Sequence, residues 1–160
     1  MKVYSELVKA LKEKGMTIAV AESLTGGLIS SKITDISGAS SVFSGGVVSY
    51  TNDVKMSLLG VSQRTIDKYT EVSYQCAEEM ALGVRKRLCS DIGISTTGIA
   101  GPTGGTDKNP VGTAYVGFSF KDRLYSVRLC FSPSLSREQI RLGISCTVAK
   151  MLVKKINKRY

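Results

Sequence analysis

Ser40, Tyr50 and Lys55 fall within a short stretch of chain, and they are side chains from which a hydrolase without histidine could be assembled. A lysine acts as general base when burial or neighbouring charge lowers its pKa, and a tyrosine beside it can relay a proton to or from a serine hydroxyl. The chain contains no histidine, which removes the usual base of serine hydrolases and the commonest metal ligand. Any acid–base chemistry must therefore fall to Lys, Tyr, Asp or Glu. Ser23 and Ser41 are alternative nucleophiles on sequence grounds. The plainer reading makes Tyr50 a strand residue and Lys55 a solvated helix position, and spacing alone does not decide between the two.

Three loops concentrate small hydroxyl residues and glycine: Glu22-Ser23-Leu24-Thr25-Gly26-Gly27, Gly38-Ala39-Ser40-Ser41 with the following Gly45-Gly46, and Thr96 to Gly105. Glycine lets a backbone approach a ligand and turn its N–H groups toward an anion, and strand ends are where an α/β sheet binds ligands. Gly45 and Gly46 are candidates for donors to an oxyanion. None of the loops carries a P-loop or a G-x-G-x-x-G fingerprint. Each alone is equally well an ordinary turn or helix cap.

The elements that must position these residues follow from periodicity. Residues 3 to 14 read as an amphipathic helix with Val3, Leu7, Ala10 and Leu11 on one face, closed by Gly15. MTIAVAES reads as a buried strand, and Leu28, Ile29, Ile33 and Ile36 carry the spacing of the next helix. Val42 to Tyr50 suggests a strand interrupted by Gly45 and Gly46. Short helices are expected over 53–59 and 62–68, the second capped by Ser62. A longer helix should run from Tyr74 to Leu88 with Cys76, Met80, Val84 and Leu88 aligned. DIGISTTG is a strand entering a Gly-, Thr- and Pro-rich loop. AYVGFSF and YSVRLCF flank the turn KDRL as a hairpin, and a last helix begins near Ser136. The expected fold is α/β, one domain over residues 1–160, with a mixed sheet of about five strands covered by helices.

With 42% hydrophobic and 22% charged residues the chain has the composition of a folded globular domain, not of a disordered one. The charged first helix is unlike a signal peptide and no apolar run is long enough to span a bilayer, so a cytoplasmic location is expected. Cys76, Cys89, Cys130 and Cys146 form no C-x-x-C pair, so buried free thiols are expected and neither a zinc knuckle nor a redox pair is indicated. The net charge of +9 is carried largely by the two terminal segments, including Lys150, Lys154, Lys155, Lys158 and Arg159. A solvated basic face is favoured over a nucleic-acid surface, because no interleaved aromatics accompany it.

Taken together, AESLTGG, GGVVSYTNDVK and TGIAGPTGG resemble the three motifs of the CinA C-terminal domain family, in the same order and spacing, with similarity from about Thr17 through the closing helix. Active members of that family are nicotinamide mononucleotide deamidases; some are stand-alone domains and others carry a further N-terminal domain. The resemblance implies hydrolysis of the carboxamide of nicotinamide mononucleotide to nicotinate mononucleotide and ammonia, with no cofactor and no metal. It makes Ser40, Tyr50 and Lys55 the catalytic set, places Ser23 with Thr25, Gly26 and Gly27 at the nicotinamide end, sets Thr97 and Gly98 beside the nucleotide, and gives Arg137 the phosphate. A homo-oligomer acting on a small nucleotide is expected, with nucleic acid and membrane not expected as partners. The alternatives are a hydrolase of another small amide and, from the basic charge and the family's link to competence and DNA damage, a nucleic-acid-binding domain.

Overall fold

The computed structural model describes residues 2–159; Met1, Tyr160 and the side chain of Arg159, one of the expected basic positions, lie outside the described residues. Eleven helices and strands follow one another as α1 (Lys2–Glu13), β1 (Ile18–Glu22), α2 (Leu28–Thr34), β2 (Phe43–Val48), α3 (Asn52–Leu59), α4 (Gln63–Tyr69), α5 (Tyr74–Arg87), β3 (Ile92–Gly98), β4 (Thr113–Ser119), β5 (Leu124–Cys130) and α6 (Arg137–Arg159), with a 3₁₀ turn at Ala39–Ser41. The five strands form one sheet in the order β2-β1-β3-β4-β5. β1 is parallel to both β2 and β3, whereas β3, β4 and β5 are antiparallel. This is the expected α/β class with a mixed sheet.

Strand alternation sorts the core into two layers. Ile18 and Val20 of β1 join Leu7 and Leu11 of α1, Ile29 and Ile33 of α2, and Ile140, Ile144 and Val148 of α6. Ala19 and Ala21 point the other way, toward Leu59 of α3 and Cys76, Met80 and Val84 of α5. The sheet is thus sandwiched between helices on both faces, the arrangement in which β1 can be wholly buried. No helix among the described residues is long and apolar enough to cross a membrane.

Caps fix where the helices start. Ser62 accepts from the Thr65 N–H at 3.1 Å, and Ser73 accepts from that of Cys76 at 3.2 Å. At α6 the side chains of Ser136 and Gln139 each accept from the other's backbone N–H, the reciprocal pairing of a capping box, which sets Arg137 at the first helical position. The start of α2 is closed by a buried acid, for Glu22 at the end of β1 accepts from the N–H groups of Ile29 and Ser30 at 3.0 and 2.8 Å. A carboxylate there meets the positive end of the helix.

The thiols depart from expectation. Only Cys76 is buried; Cys89 and Cys130 are exposed and Cys146 is intermediate. Cys89 follows the end of α5 and Cys130 closes β5, an edge strand with solvent on its outer face.

α5 lies against the sheet at the closest approach a backbone allows. A Cβ added to Gly93 of β3 would strike the Ala81 carbonyl of α5, and one added to Gly117 of β4 would strike that of Ala77. Both partners are backbone atoms of a packed helix and cannot swing aside. Gly93→Ala and Gly117→Ala are each expected to lower stability by about 3 kcal/mol, as core overpacking does, measured by urea unfolding. Gly60→Ala, where an added Cβ meets open space but the backbone is left-handed, should cost only about 1 kcal/mol.

Candidate active site

Because β1, β2 and β3 are parallel, their C-terminal ends share one edge of the sheet. Glu22 pairs with Val48 on one side and with Thr96 on the other, so Ser23, the Ser49–Tyr50 segment and Thr97–Gly98 emerge together. β1 lies between strands reached in opposite directions, and such a switch point opens a crevice. A cleft of about 430 Å³ occupies it, lined among others by Ser23, Tyr50, Lys55, Thr97, Gly98 and Arg137. That volume is in the range of small-molecule sites.

Lys55 is 1% exposed. Thr51 caps α3, Gly60 ends it, and Lys55 and Leu59 form its buried face. The ammonium Nζ reaches the Ser23 Oγ at 3.2 Å and the Tyr50 backbone carbonyl at 3.4 Å. Among the described residues the ion pairs are Lys9–Glu13 and Lys32–Asp35, both near the surface, and no carboxylate salt-bridges Lys55. Burial lowers its pKa below the ordinary lysine value, opposed more weakly by Cys76 and Glu71. The same burial pushes the Cys76 thiol up to about 12, so Cys76 stays a neutral wall of this chamber.

Ser23 follows β1 on the α3 side of the sheet, opposite to Glu22, as alternation requires. Its N–H donates to the Thr96 carbonyl at 2.9 Å, which anchors the serine to β3. The turn beyond it is closed by the Gly26 N–H on the Ser23 carbonyl at 3.0 Å, and Gly26 and Gly27 supply the left-handed backbone it needs. Thr25 is buried under the turn with its hydroxyl 2.7 Å from that of Thr96. Thr25, Gly26 and Gly27 therefore shape the site without lining the cleft.

The remaining expected residues divide. Tyr50, 59% exposed, hangs over the mouth, where its hydroxyl accepts from Arg137 Nη2 at 2.9 Å. Arg137 Nη1 donates to the Gly101 carbonyl at 2.8 Å. Thr97 donates to the Glu71 carbonyl at 2.6 Å and so holds the wall made by Thr70, Glu71 and Val72. Ser40 and Ser41, by contrast, lie exposed in the 3₁₀ turn before β2, and Ser40 borders a separate hollow with Thr34, Ile36 and Phe43. Phe43 pairs with Ile18, at the far end of β1; the length of β2 separates them from Lys55, roughly 16 Å at 3.3 Å per residue. Ser40 is not part of the Lys55 cluster, and the serine in contact is Ser23.

Gly45 and Gly46 are likewise displaced from the cleft. They sit within β2 opposite Ala19 and Val20, where an added Cβ would meet Leu88 at 3.4 Å or the Ser30 hydroxyl. Their role is to admit helices on both faces of an edge strand.

The family model described as the CinA C-terminal domain matches residues 1–156. The chain belongs to the CinA C-terminal domain family. A CinA-like protein of Nostoc punctiforme is 51% identical over 140 residues, 87% of this chain and 33% of its own length; one of Pseudothermotoga lettingae is 52% identical over 119 residues, 72% of this chain and 29% of its own. The chain thus spans about a third of the length of the curated relatives it matches. Among solved structures, the competence/damage inducible protein CihA from Agrobacterium tumefaciens superposes with a TM-score of 0.92 at 33% identity, covering 98% of this chain and 94% of that one.

Within this CinA domain, sequence reasoning missed four positions. Lys108 and Asn109 line the cleft, Glu71 forms its wall, and Arg141 donates to the Thr25 carbonyl at 2.7 Å, bracing the turn after Ser23. Arg141 stands one helical turn after Arg137, a spacing that could have drawn notice. Nothing in the local sequence marked the others.

A buried cation without a counter-charge opposes folding. Native Lys55 binds its proton less tightly than a lysine of the unfolded chain, so its contribution rises with pH from the depressed native pKa up to the ordinary value near 10.5 and is least favourable below that window. Lys55→Met, of similar length and apolar, is expected to raise Tm by about 2 to 4 °C at neutral pH, as about 1 kcal/mol does in a domain of this size. The gain should shrink as pH approaches 10, measured by calorimetry across pH.

Proposed function

We propose that this protein is an amidohydrolase that converts nicotinamide mononucleotide to nicotinate mononucleotide and ammonia, with Ser23 as nucleophile and Lys55 as its base. The observation that carries the reading is the 3.2 Å approach of Lys55 Nζ to Ser23 Oγ in a site where burial favours the neutral amine. Protonated, Lys55 donates to the serine oxygen. Neutral, it accepts the serine proton, and the alkoxide-like oxygen attacks the carboxamide carbon.

The resulting tetrahedral oxyanion requires donors fixed in advance, a contribution of about 3 kcal/mol each. Leu24, which lines the cleft directly after Ser23 in a turn braced by Arg141 and closed by Gly26, could supply a backbone N–H to it, in place of Gly45 and Gly46. Lys55, now carrying the serine proton, returns it to the leaving nitrogen. The C–N bond breaks, ammonia departs and an ester links Ser23 to the pyridine carbonyl. Water then adds to that ester with Lys55 again taking the proton, and the carboxylate is released. Tyr50 lies over the same space, and its hydroxyl, held by Arg137, serves to orient the ring and shuttle protons at the mouth.

The nucleotide assignment rests on the family resemblance, the size of the cleft and cations at its mouth. Arg137 supplies one of them, and Thr97 and Gly98 flank the ribose.

Ser23→Ala should reduce kcat for ammonia release by about a thousandfold or more with little change in KM, whereas Ser40→Ala should stay within about twofold of the parent. The opposite ranking of the two serines would refute the Ser23 assignment. The rate should rise with pH through one ionisation below the usual lysine range. Lys55→Arg should be nearly inert, because a guanidinium stays protonated. No step in this mechanism uses a metal, so turnover should survive exhaustive chelation. Activity lost to EDTA and restored by a divalent ion would contradict it.

A further inference from the structure

The turn Thr106–Asn109 is unusually well tied for an exposed loop. Thr106 N–H donates to the Asn109 carbonyl at 2.9 Å, and the Asn109 N–H donates to Thr106 Oγ1 at 3.0 Å. The Asn109 side chain is buried, donating to the Val72 carbonyl and accepting from the Tyr115 hydroxyl, each at 3.0 Å. Arg128 Nη2 holds the Lys108 carbonyl at 2.9 Å. Five bonds within and behind one turn fix the backbone of a residue whose own side chain is exposed and lines the cleft.

Lys108 has no ion-pair partner among the described residues. Asp107 beside it does not line the cavity, and the one carboxylate residue lining it is Glu71, on the wall near Lys55. Arg137 has already committed one N–H of each terminal nitrogen to the protein. A phosphomonoester carries a charge of about −1.5 to −2 at neutral pH, more than one partly occupied guanidinium offsets. Both cations flank the same loop, Arg137 through Gly101 and Lys108 within it.

Resting on the nucleotide reading above, we propose that Lys108 completes an anion subsite with Arg137 at the cleft mouth and is the residue that makes the enzyme prefer phosphorylated substrates. The pinned turn holds the lysine stem in reach of the phosphate, and Arg137 divides its donors between the anion and Tyr50.

Two measurements test this separately from the hydrolysis itself. In steady-state kinetics, Lys108→Gln should raise KM for nicotinamide mononucleotide about tenfold and leave that for nicotinamide riboside unchanged, with Lys108→Arg restoring most of the loss, since one charge-assisted contact is worth about that much. An unchanged KM for the nucleotide, or an equal rise for both substrates, would overturn the assignment. In the second arm, inorganic phosphate is titrated into Ser23→Ala protein while backbone amide shifts are followed by NMR. Shifts at Thr103 to Asn109 that vanish when Lys108→Gln is added support the subsite, and shifts that persist undiminished overturn it. Should neither amide be hydrolysed by the parent protein, the deamidase reading fails while the phosphate titration still decides the role of Lys108.

Discussion

Lys55 is held almost without solvent and without a carboxylate partner, and the surrounding architecture is organised by that fact. Removing an ammonium from water costs several kcal/mol unless something compensates. Here compensation is limited to a serine hydroxyl and a backbone carbonyl, groups that solvate either protonation state. A salt bridge would stabilise the fold more and keep the amine charged. The protein has instead the protonated thiol of Cys76 and the more weakly acting Glu71 around the amine, and burial prevails in favouring its neutral form beside Ser23. The stability sacrificed must come from the rest of the core, where two apolar layers enclose the sheet.

Placement of that amine depends on contacts remote from it. α3 is seated by its own caps and packs on α5, and α5 is located by the glycine notches at Gly93 and Gly117. The serine is located independently, by β1 in register with β3 and by the N–H of Ser23 on Thr96. On the proposed function, a displacement of about 1 Å in either would be felt in the rate. Rigid devices thus act at both ends of β1, a capping acid at Glu22 beside Ser23 and the backbone-to-backbone packing at Gly93, which pairs with Ala19.

Much of the fold was legible because amphipathic periodicity and capping residues are local signals. Ser62 predicts the start of α4, and Ser136 that of α6, from chemistry contained within one turn. The hairpin of β4 and β5 follows from two β-rich runs around a polar turn. The candidate site was legible where motif residues lie at or just beyond a strand's C-terminal end, as Ser23, Tyr50 and Thr97 do, and at Lys55 and Arg137 on helices. Ser40 is closer in sequence to Lys55 than Ser23 is, yet β2 runs between them and carries them to opposite edges of the sheet. Gly45 and Gly46 resemble a ligand loop in sequence, but strand pairing with β1 makes them packing residues. Asn109 and Lys108 were invisible because their importance lies in partners outside their own turn, Val72, Tyr115 and Arg128. Even the thiols obey this limit, since whether Cys130 is covered depends on β5 being an edge.

Arg137 ties the loop at Gly101 to Tyr50 at the mouth of the cleft. Its guanidinium spans a loop carbonyl and the hydroxyl of Tyr50, and its own position is fixed by the capping box that begins α6. On the proposed function, an anion arriving at the mouth would compete for the same donors that hold the Tyr50 hydroxyl, so its binding would alter the restraint on that side chain. Such coupling needs no movement of the sheet or helices, only a redistribution of hydrogen bonds around one planar group with five donors. Lysine at this position would carry the same charge but could not span both partners in a fixed fork. The geometry that makes Arg137 a support for Tyr50 would, on the proposed function, also link anion binding at the mouth to the restraint on a residue whose carbonyl meets Lys55.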